Sequence, residues 1–142
     1  MPFILAAKHD DIQDSVIRVK TGQGELAIGE GSCTMIAGPC AVESREAYLE
    51  IALLLMETGV NLLRGGAFKP RTSPYSFSGL GLEGLKILAE AREITGLPVV
   101  TEVLDPRDLD NVACYSDLVQ VGSRNMQNFT LLKEVGRCSR PV

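Results

Sequence analysis

Apolar positions in this chain fall into short continuous runs more often than into strict alternation. Cys33–Ala37 (CTMIA), 60–64 (VNLLR), 98–103 (PVVTEV) and 117–121 (DLVQV) are such runs, each flanked by turn residues. Runs apolar on both faces suit strands buried in a parallel sheet. Between them the period lengthens to that of a helix. Residues 45–58 (REAYLEIALLLMET) follow Ser44, an N-cap type, and stop at Gly59; Leu82–Thr95 stop at Gly96. Asp105-Pro106 opens a short helix, with Asp105 as cap and Pro106 at its first position. Residues 126–135 read as a fourth helix with Met126 and Phe129 on its core face, and Arg140–Val142 as the start of a fifth strand. Ahead of all this, 14–20 (DSVIRVK) and 25–30 (ELAIGE) flank TGQG and predict a hairpin.

Strand and helix thus alternate four times, which implies a parallel sheet covered by helices. Two α/β architectures fit that order: an open doubly wound sheet, flavodoxin-like, or part of a (β/α)8 barrel. The chain is expected to divide into an N-terminal extension with the hairpin (1–31) and a sheet-and-helix domain (32–142). It stops where a fifth strand is expected to begin, and neither fold is expected to end a chain inside an apolar strand.

Composition narrows the function classes. Apolar residues make up 45% and charged residues 23%, as in a globular chain, and the net charge of −4 argues against a nucleic-acid partner. No apolar run reaches the roughly 20 residues of a membrane span. The N-terminal MPFILAAKHDD lacks a leading basic segment, so a cytoplasmic location is expected, with no membrane partner. Cys33, Cys40, Cys114 and Cys138 show no CxxC pairing and are expected to be buried thiols.

The polar residues after each strand carry the chemistry. Gly38-Pro39-Cys40 follow the first strand. Arg64-Gly65-Gly66, Lys69, Arg71 and Thr72 follow the second, in the stretch GGAFKPRTSPYSF. Glu102 and Asp105 lie at the third, and Gly122-Ser123-Arg124-Asn125 follow the fourth. Parallel α/β folds bind ligands at the carboxyl ends of their strands, so all four clusters share one rim. Arg64, Lys69, Arg71 and Arg124 then crowd positive charge at one mouth of an acidic protein, and an anionic ligand offsets their repulsion. Arginine forks match carboxylate and phosphate oxygens. Pro70 and Pro74 stiffen the loop. Blander readings exist: Glu102 pairs with Arg64 or Lys69, Asp105 only caps a helix, His9 lies on the surface, and Arg137 and Arg140 are solvated helix-end cations.

IAGPCAVES (36–44), LLRGGAFKPRTSPYSFSGLG (62–81), PVVTEVLDPRD (98–108) and VGSRNMQNFTLLKEVG (121–136) together resemble the 3-deoxy-D-arabino-heptulosonate 7-phosphate (DAHP) synthases. The likeness is to the branch similar to 3-deoxy-D-manno-octulosonate 8-phosphate synthase, and it covers about Ser15 to Val142. It implies a (β/α)8 barrel, here truncated to the first four βα units behind the hairpin. It also implies a transferase of the shikimate pathway, condensing phosphoenolpyruvate with erythrose 4-phosphate for aromatic amino acid biosynthesis.

By matching positions, Arg64, Lys69, Gly122, Ser123 and Arg124 hold phosphoenolpyruvate, and Lys69, Pro70, Arg71 and Thr72 reach the aldose phosphate. Lys69 and Glu102 are the implied catalytic residues, Glu102 by orienting water. Cys40 is the implied ligand of a divalent metal ion. The family's remaining metal ligands, a histidine, a glutamate and an aspartate, lie on later strands, as do a further lysine and arginine. Alanine is usual where Ser123 stands. A barrel takes about 250 residues, so the chain is expected to be an N-terminal half, inactive alone, and to associate with other copies through unguarded strand edges. The family also implies a homo-oligomer. The competing readings are a non-catalytic phosphate-binding or interaction fragment, and an octulosonate 8-phosphate synthase-like enzyme.

Overall fold

A computed structural model describes residues 7–8, 13–22, 24–29, 31 and 33–142. His9 lies outside the described residues. The hairpin forms from β1 (Ile17–Thr21) and β2 (Gly24–Ile28), antiparallel with Val19 opposite Leu26. β3 (Ile36–Ala37), β4 (Leu62–Arg64), β5 (Val99–Glu102) and β6 (Leu118–Gln120) form one parallel sheet in that spatial order. Ile36 lies opposite Leu62, Leu63 opposite Val99, and Val100 opposite Leu118. The helices α1 (Arg45–Glu57), α2 (Leu82–Thr95), α3 (Leu109–Tyr115) and α4 (Phe129–Val135) each follow a strand. A doubly wound sheet reverses its strand order at a switch point. This sheet does not, so the fold is of the (β/α)8-barrel class: four consecutive βα units behind a hairpin.

Side chains alternate across each strand. Leu63, Val99 and Val119 face the helices, in a core with Ala52, Leu85, Leu88, Val112 and Leu131. Leu62, Val100 and Leu118 face the other way and pack against Val19 of the hairpin, with Ile17, Leu26 and Ile28 around it. The hairpin therefore seals the sheet at the N-terminal ends of its strands. Arg64, Glu102 and Gln120 share that inner face but lie at the C-terminal ends, where the hairpin does not reach.

Ser44 caps α1 by accepting from the Ala47 N–H, and α2 ends on left-handed Gly96, as the sequence predicts. Asp105 accepts from the Arg107 N–H at 2.8 Å, capping a 3-10 turn (Pro106–Asp108) that leads into α3.

Several expectations need correction. The strands are shorter than their apolar runs, most of all β3, because only the segments that find a neighbouring strand form ladders. Residues 126–135 are not one helix. A 3-10 turn over Ser123–Asn125 precedes α4, which Asn128 caps, so Met126 and Phe129 fall outside the buried face at 65% and 67% exposed. Arg140 is not simply solvated: its Nε donates to the Ala113 carbonyl at 2.8 Å, closing the end of α3. Arg140–Val142 form no strand, although the Val119 N–H donates to the Pro141 carbonyl at 2.9 Å along the β6 edge. The cysteines are not buried: Cys33, Cys40 and Cys114 are exposed and Cys138 is partly buried, because Cys33, Cys40 and Cys138 sit in loops and Cys114 at a helix surface.

Candidate active site

The site begins where β3 and β4 end. Gly38 has φ +152°, and a Cβ there would stand 1.8 Å from the Arg64 carbonyl oxygen, so a side chain would push the two strand ends apart. Cys40 lands beside Arg64 as a result. The Arg64 guanidinium donates through Nη1 to the carbonyls of Pro39 and Cys40, both at 3.2 Å, and through Nε to Gln120 Oε1 at 3.4 Å.

Lys69 arrives from the turn after β4. Its Nζ donates to the Cys40 carbonyl at 2.9 Å and to Cys40 Sγ at 3.1 Å. The side chain is only 8% exposed, and a cation is seldom buried without such partners. The hydrogen bond and charge of Lys69, with a smaller contribution from Arg64, hold the Cys40 thiol below its ordinary pKa. An exposed thiol biased toward its thiolate is suited to bind metal or act as a nucleophile.

Glu102 comes from the end of β5, opposite Gln120 on β6. It is 6% exposed, and it has no hydrogen-bond or ion-pair partner among the described residues. Its position depends on Gly122: a Cβ there would lie 1.9 Å from Glu102 Oε1. The expected pairing of Glu102 with Arg64 or Lys69 is therefore not made. Arg64 is engaged with backbone carbonyls and Gln120, and Lys69 with Cys40.

A cleft of about 320 Å³ opens in front of Glu102, walled by Cys40, Lys69, Pro70, Arg71, Ser123 and Arg124. It gathers seven of the residues singled out in the sequence. Three others stand apart. Arg64 lines a neighbouring cavity of about 530 Å³ on the inner face of the sheet, with Gln120 and mostly apolar walls. Thr72 is exposed on the loop outside the cleft, and Gly122 lies behind Glu102. Lys69, Arg71 and Arg124 line the cleft, and Arg64 adjoins it: its Nη1 and the Lys69 Nζ donate to the same Cys40 carbonyl. Asp105 is a cap whose carboxyl belongs to Arg107.

Two residues of this neighbourhood were missed in the sequence. Gln120 was legible, since alternation puts it on the same face as Glu102. Thr101 was not, because its partners are backbone atoms of another strand's loop. Its hydroxyl donates to the Gly65 carbonyl at 2.6 Å and accepts from the Ala67 N–H at 3.4 Å.

Known proteins resemble this chain in sequence and in fold. The model of the DAHP synthetase I family matches residues 12–142. Phospho-2-dehydro-3-deoxyheptonate aldolase of Thermotoga maritima is 50% identical over 141 residues, 99% of this chain and 40% of that protein. A 2-dehydro-3-deoxyphosphooctonate aldolase of Stenotrophomonas maltophilia is 36% identical over 115 residues, 76% of this chain and 42% of that one. The crystal structure of the Thermotoga maritima enzyme, DAHP synthase, superposes with a TM-score of 0.81 at 50% identity, covering 92% of this chain and 36% of that chain. A truncated form of the synthase from the same organism gives 0.76 at 45% identity, covering 92% and 44%. The chain spans about two fifths of the length of the curated relatives it matches. Its motifs, its strand order and the match over residues 12–142 together show that the chain belongs to the DAHP synthetase I family.

Proposed function

We propose that the protein condenses phosphoenolpyruvate with erythrose 4-phosphate, giving 3-deoxy-D-arabino-heptulosonate 7-phosphate and phosphate at the head of the shikimate pathway. The observation that carries this reading is the cleft in which Glu102, buried and without a partner among the described residues, faces Lys69, Arg71 and Arg124. Two anionic substrates need cations to lie side by side. Arg64, Lys69, Gly122, Ser123 and Arg124 hold phosphoenolpyruvate. Lys69, Pro70, Arg71 and Thr72 reach the aldose phosphate. The C2–C3 π electrons of phosphoenolpyruvate form the bond from C3 to the aldehyde carbon as the aldehyde C=O π bond opens onto its oxygen, leaving an oxocarbenium-like C2. Glu102 orients the water that adds to C2, one proton of that water ending on the former aldehyde oxygen. The C2–O bond to phosphate then breaks, the C2 hydroxyl becomes the ketone, and its proton leaves with the phosphate.

Cys40 fits a divalent metal as a single ligand, because its thiol is exposed at the cleft wall and held toward the thiolate by Lys69. Among the described residues no group of three or more His, Cys, Asp or Glu accompanies it. When bound, such an ion supplies Lewis-acid polarisation of the aldose carbonyl. The family likeness supports a cytoplasmic homo-oligomer.

The test measures phosphate release and product mass with both substrates and added divalent metal, on this chain and on any longer form of the protein. A seven-carbon product formed one-to-one with phosphate is expected of the active form. An eight-carbon product would assign the octulosonate branch instead. Binding of phosphoenolpyruvate without turnover in any form would leave a phosphate-binding module. Cys40→Ser is expected to cut metal-dependent turnover sharply.

A further inference from the structure

We propose that Thr101 is a positioning residue that sets where Lys69 stands in the cleft, and through Lys69 sets the affinity for a phosphate- or carboxylate-bearing ligand. The inference rests on the reading of that cleft as an anion site. Thr101 and Glu102 are consecutive on β5 and point to opposite faces of the sheet. Glu102 enters the cleft; Thr101 is fully buried on the helix side. Its single hydroxyl bridges the Gly65 carbonyl and the Ala67 N–H. Those two groups bracket the turn between Arg64, the last residue of β4, and Lys69.

The same turn is held from its far side. The Gly81 N–H donates to the Ala67 carbonyl at 2.9 Å, and the Lys69 N–H to the Ser78 carbonyl at 2.8 Å. The turn is therefore clamped between β5 and the returning loop, and Thr101 is the side-chain contribution to that clamp. Lys69 extends from it into the cleft, with its Nζ on Cys40. Removing the hydroxyl strands a buried carbonyl and a buried N–H. The turn then relaxes to find other partners, and Lys69 moves with it.

The experiment compares Thr101→Val, which keeps the shape and removes the hydroxyl, with Thr101→Ser, which keeps the hydroxyl. Val112→Ala is the stability control, since Val112 is fully buried in the helix-side core on α3, outside the cleft. Two readouts are taken on the full chain. One is the acetylation rate of Lys69 by acetic anhydride, read by peptide mass spectrometry. The other is calorimetric affinity for phosphoenolpyruvate.

In Thr101→Val, Lys69 should label several-fold faster and phosphoenolpyruvate bind about tenfold more weakly, the worth of one net hydrogen bond. Thr101→Ser should restore both, and Val112→Ala should change neither despite a lower urea midpoint. Should Thr101→Val not fold, Thr101→Cys, a weaker hydrogen-bonding group of similar size, carries the same comparison. Labelling of Lys69 that rises no more than in Val112→Ala overturns the proposal, as does unchanged affinity in Thr101→Val. If the unaltered chain does not bind phosphoenolpyruvate, the functional reading falls, and Lys69 labelling alone decides the role of Thr101.

Discussion

A methyl group has no room at residue 122, because Glu102 Oε1 already lies 1.9 Å from where it would sit. Gly122→Ala must push the carboxylate or the β6 loop aside. In the proposed condensation, where Glu102 orients water, misplacing that group by about 1 Å costs on the order of a hundredfold in rate, and this loss is expected in the active form of the protein, measured as kcat with the urea midpoint followed in parallel. Turnover equal to that of the unaltered protein would show that Glu102 is not held against Gly122. Tyr48 is the opposite case, a buried polar atom with no evident task. Its ring is 2% exposed, its hydroxyl has no partner among the described residues, and burial pushes its pKa up. Removing an unpaired buried hydroxyl is neutral or stabilising by up to about 1 kcal/mol. Tyr48→Phe should therefore hold or raise the urea midpoint. A loss beyond about 1 kcal/mol would reveal a buried water as its partner.

At the level of elements, caps decide where helices start, and one of them titrates. Arg107, by its side-chain hydrogen bonds first and then its backbone N–H, lowers the Asp105 carboxyl to about 2 from an ordinary 3.8. A depressed carboxyl stabilises the fold while ionised. Its contribution is complete above about pH 4 and is lost as pH falls through about 2. The urea midpoints of Asp105→Ala and the unaltered chain should thus differ by a constant amount near neutrality and converge as the solution is acidified toward about pH 2. A gap that stays open in acid would mean that the cap acts through something other than its charge. This cap was readable from Asp-Pro alone, and so were Ser44 before α1 and Gly96 after α2, because caps bond to backbone within a few residues. The break between Ser123–Asn125 and Phe129–Val135 was not readable. There Asn128 competes as a local cap within an apolar stretch that also fits one continuous helix.

Across the whole molecule, the two faces of the sheet do different work. The helix side is a continuous core, whereas the inner side is sealed by the hairpin through a small cluster around Leu62 and Val19. Leu62 is fully buried there. Leu62→Ala should cost about 2–5 kcal/mol, the range for a large-to-small change in a core. It should also speed hydrogen exchange at the amides of β1 and β2, since among the described residues the hairpin shares no ladder with the parallel sheet. Slow, unchanged exchange in the hairpin would show that it is stable on its own. That is not expected of an isolated two-stranded ribbon.

The sequence by itself determined the βα order, the hairpin, the caps and the rim on which the polar residues gather. Each of these depends on near neighbours or on the period of apolar positions. It also carried the family motifs from Ile36 to Gly136. Strand order was a tertiary matter: the same alternation serves an open sheet or a barrel, and only the pairing of β3 with β4, β4 with β5 and β5 with β6 separates them. The division of labour among the cations was decided there too. Arg64 and Lys69 are five residues apart and both donate to the Cys40 carbonyl, yet only Lys69 also reaches Cys40 Sγ, while Arg64 also bonds the Pro39 carbonyl and Gln120. Thr101 and Gly122 acquire their parts from atoms far along the chain: the Gly65 carbonyl and the Ala67 N–H for one, the Glu102 carboxylate for the other. No local pattern encodes such contacts, because they arise only when separate strands are brought within bonding distance.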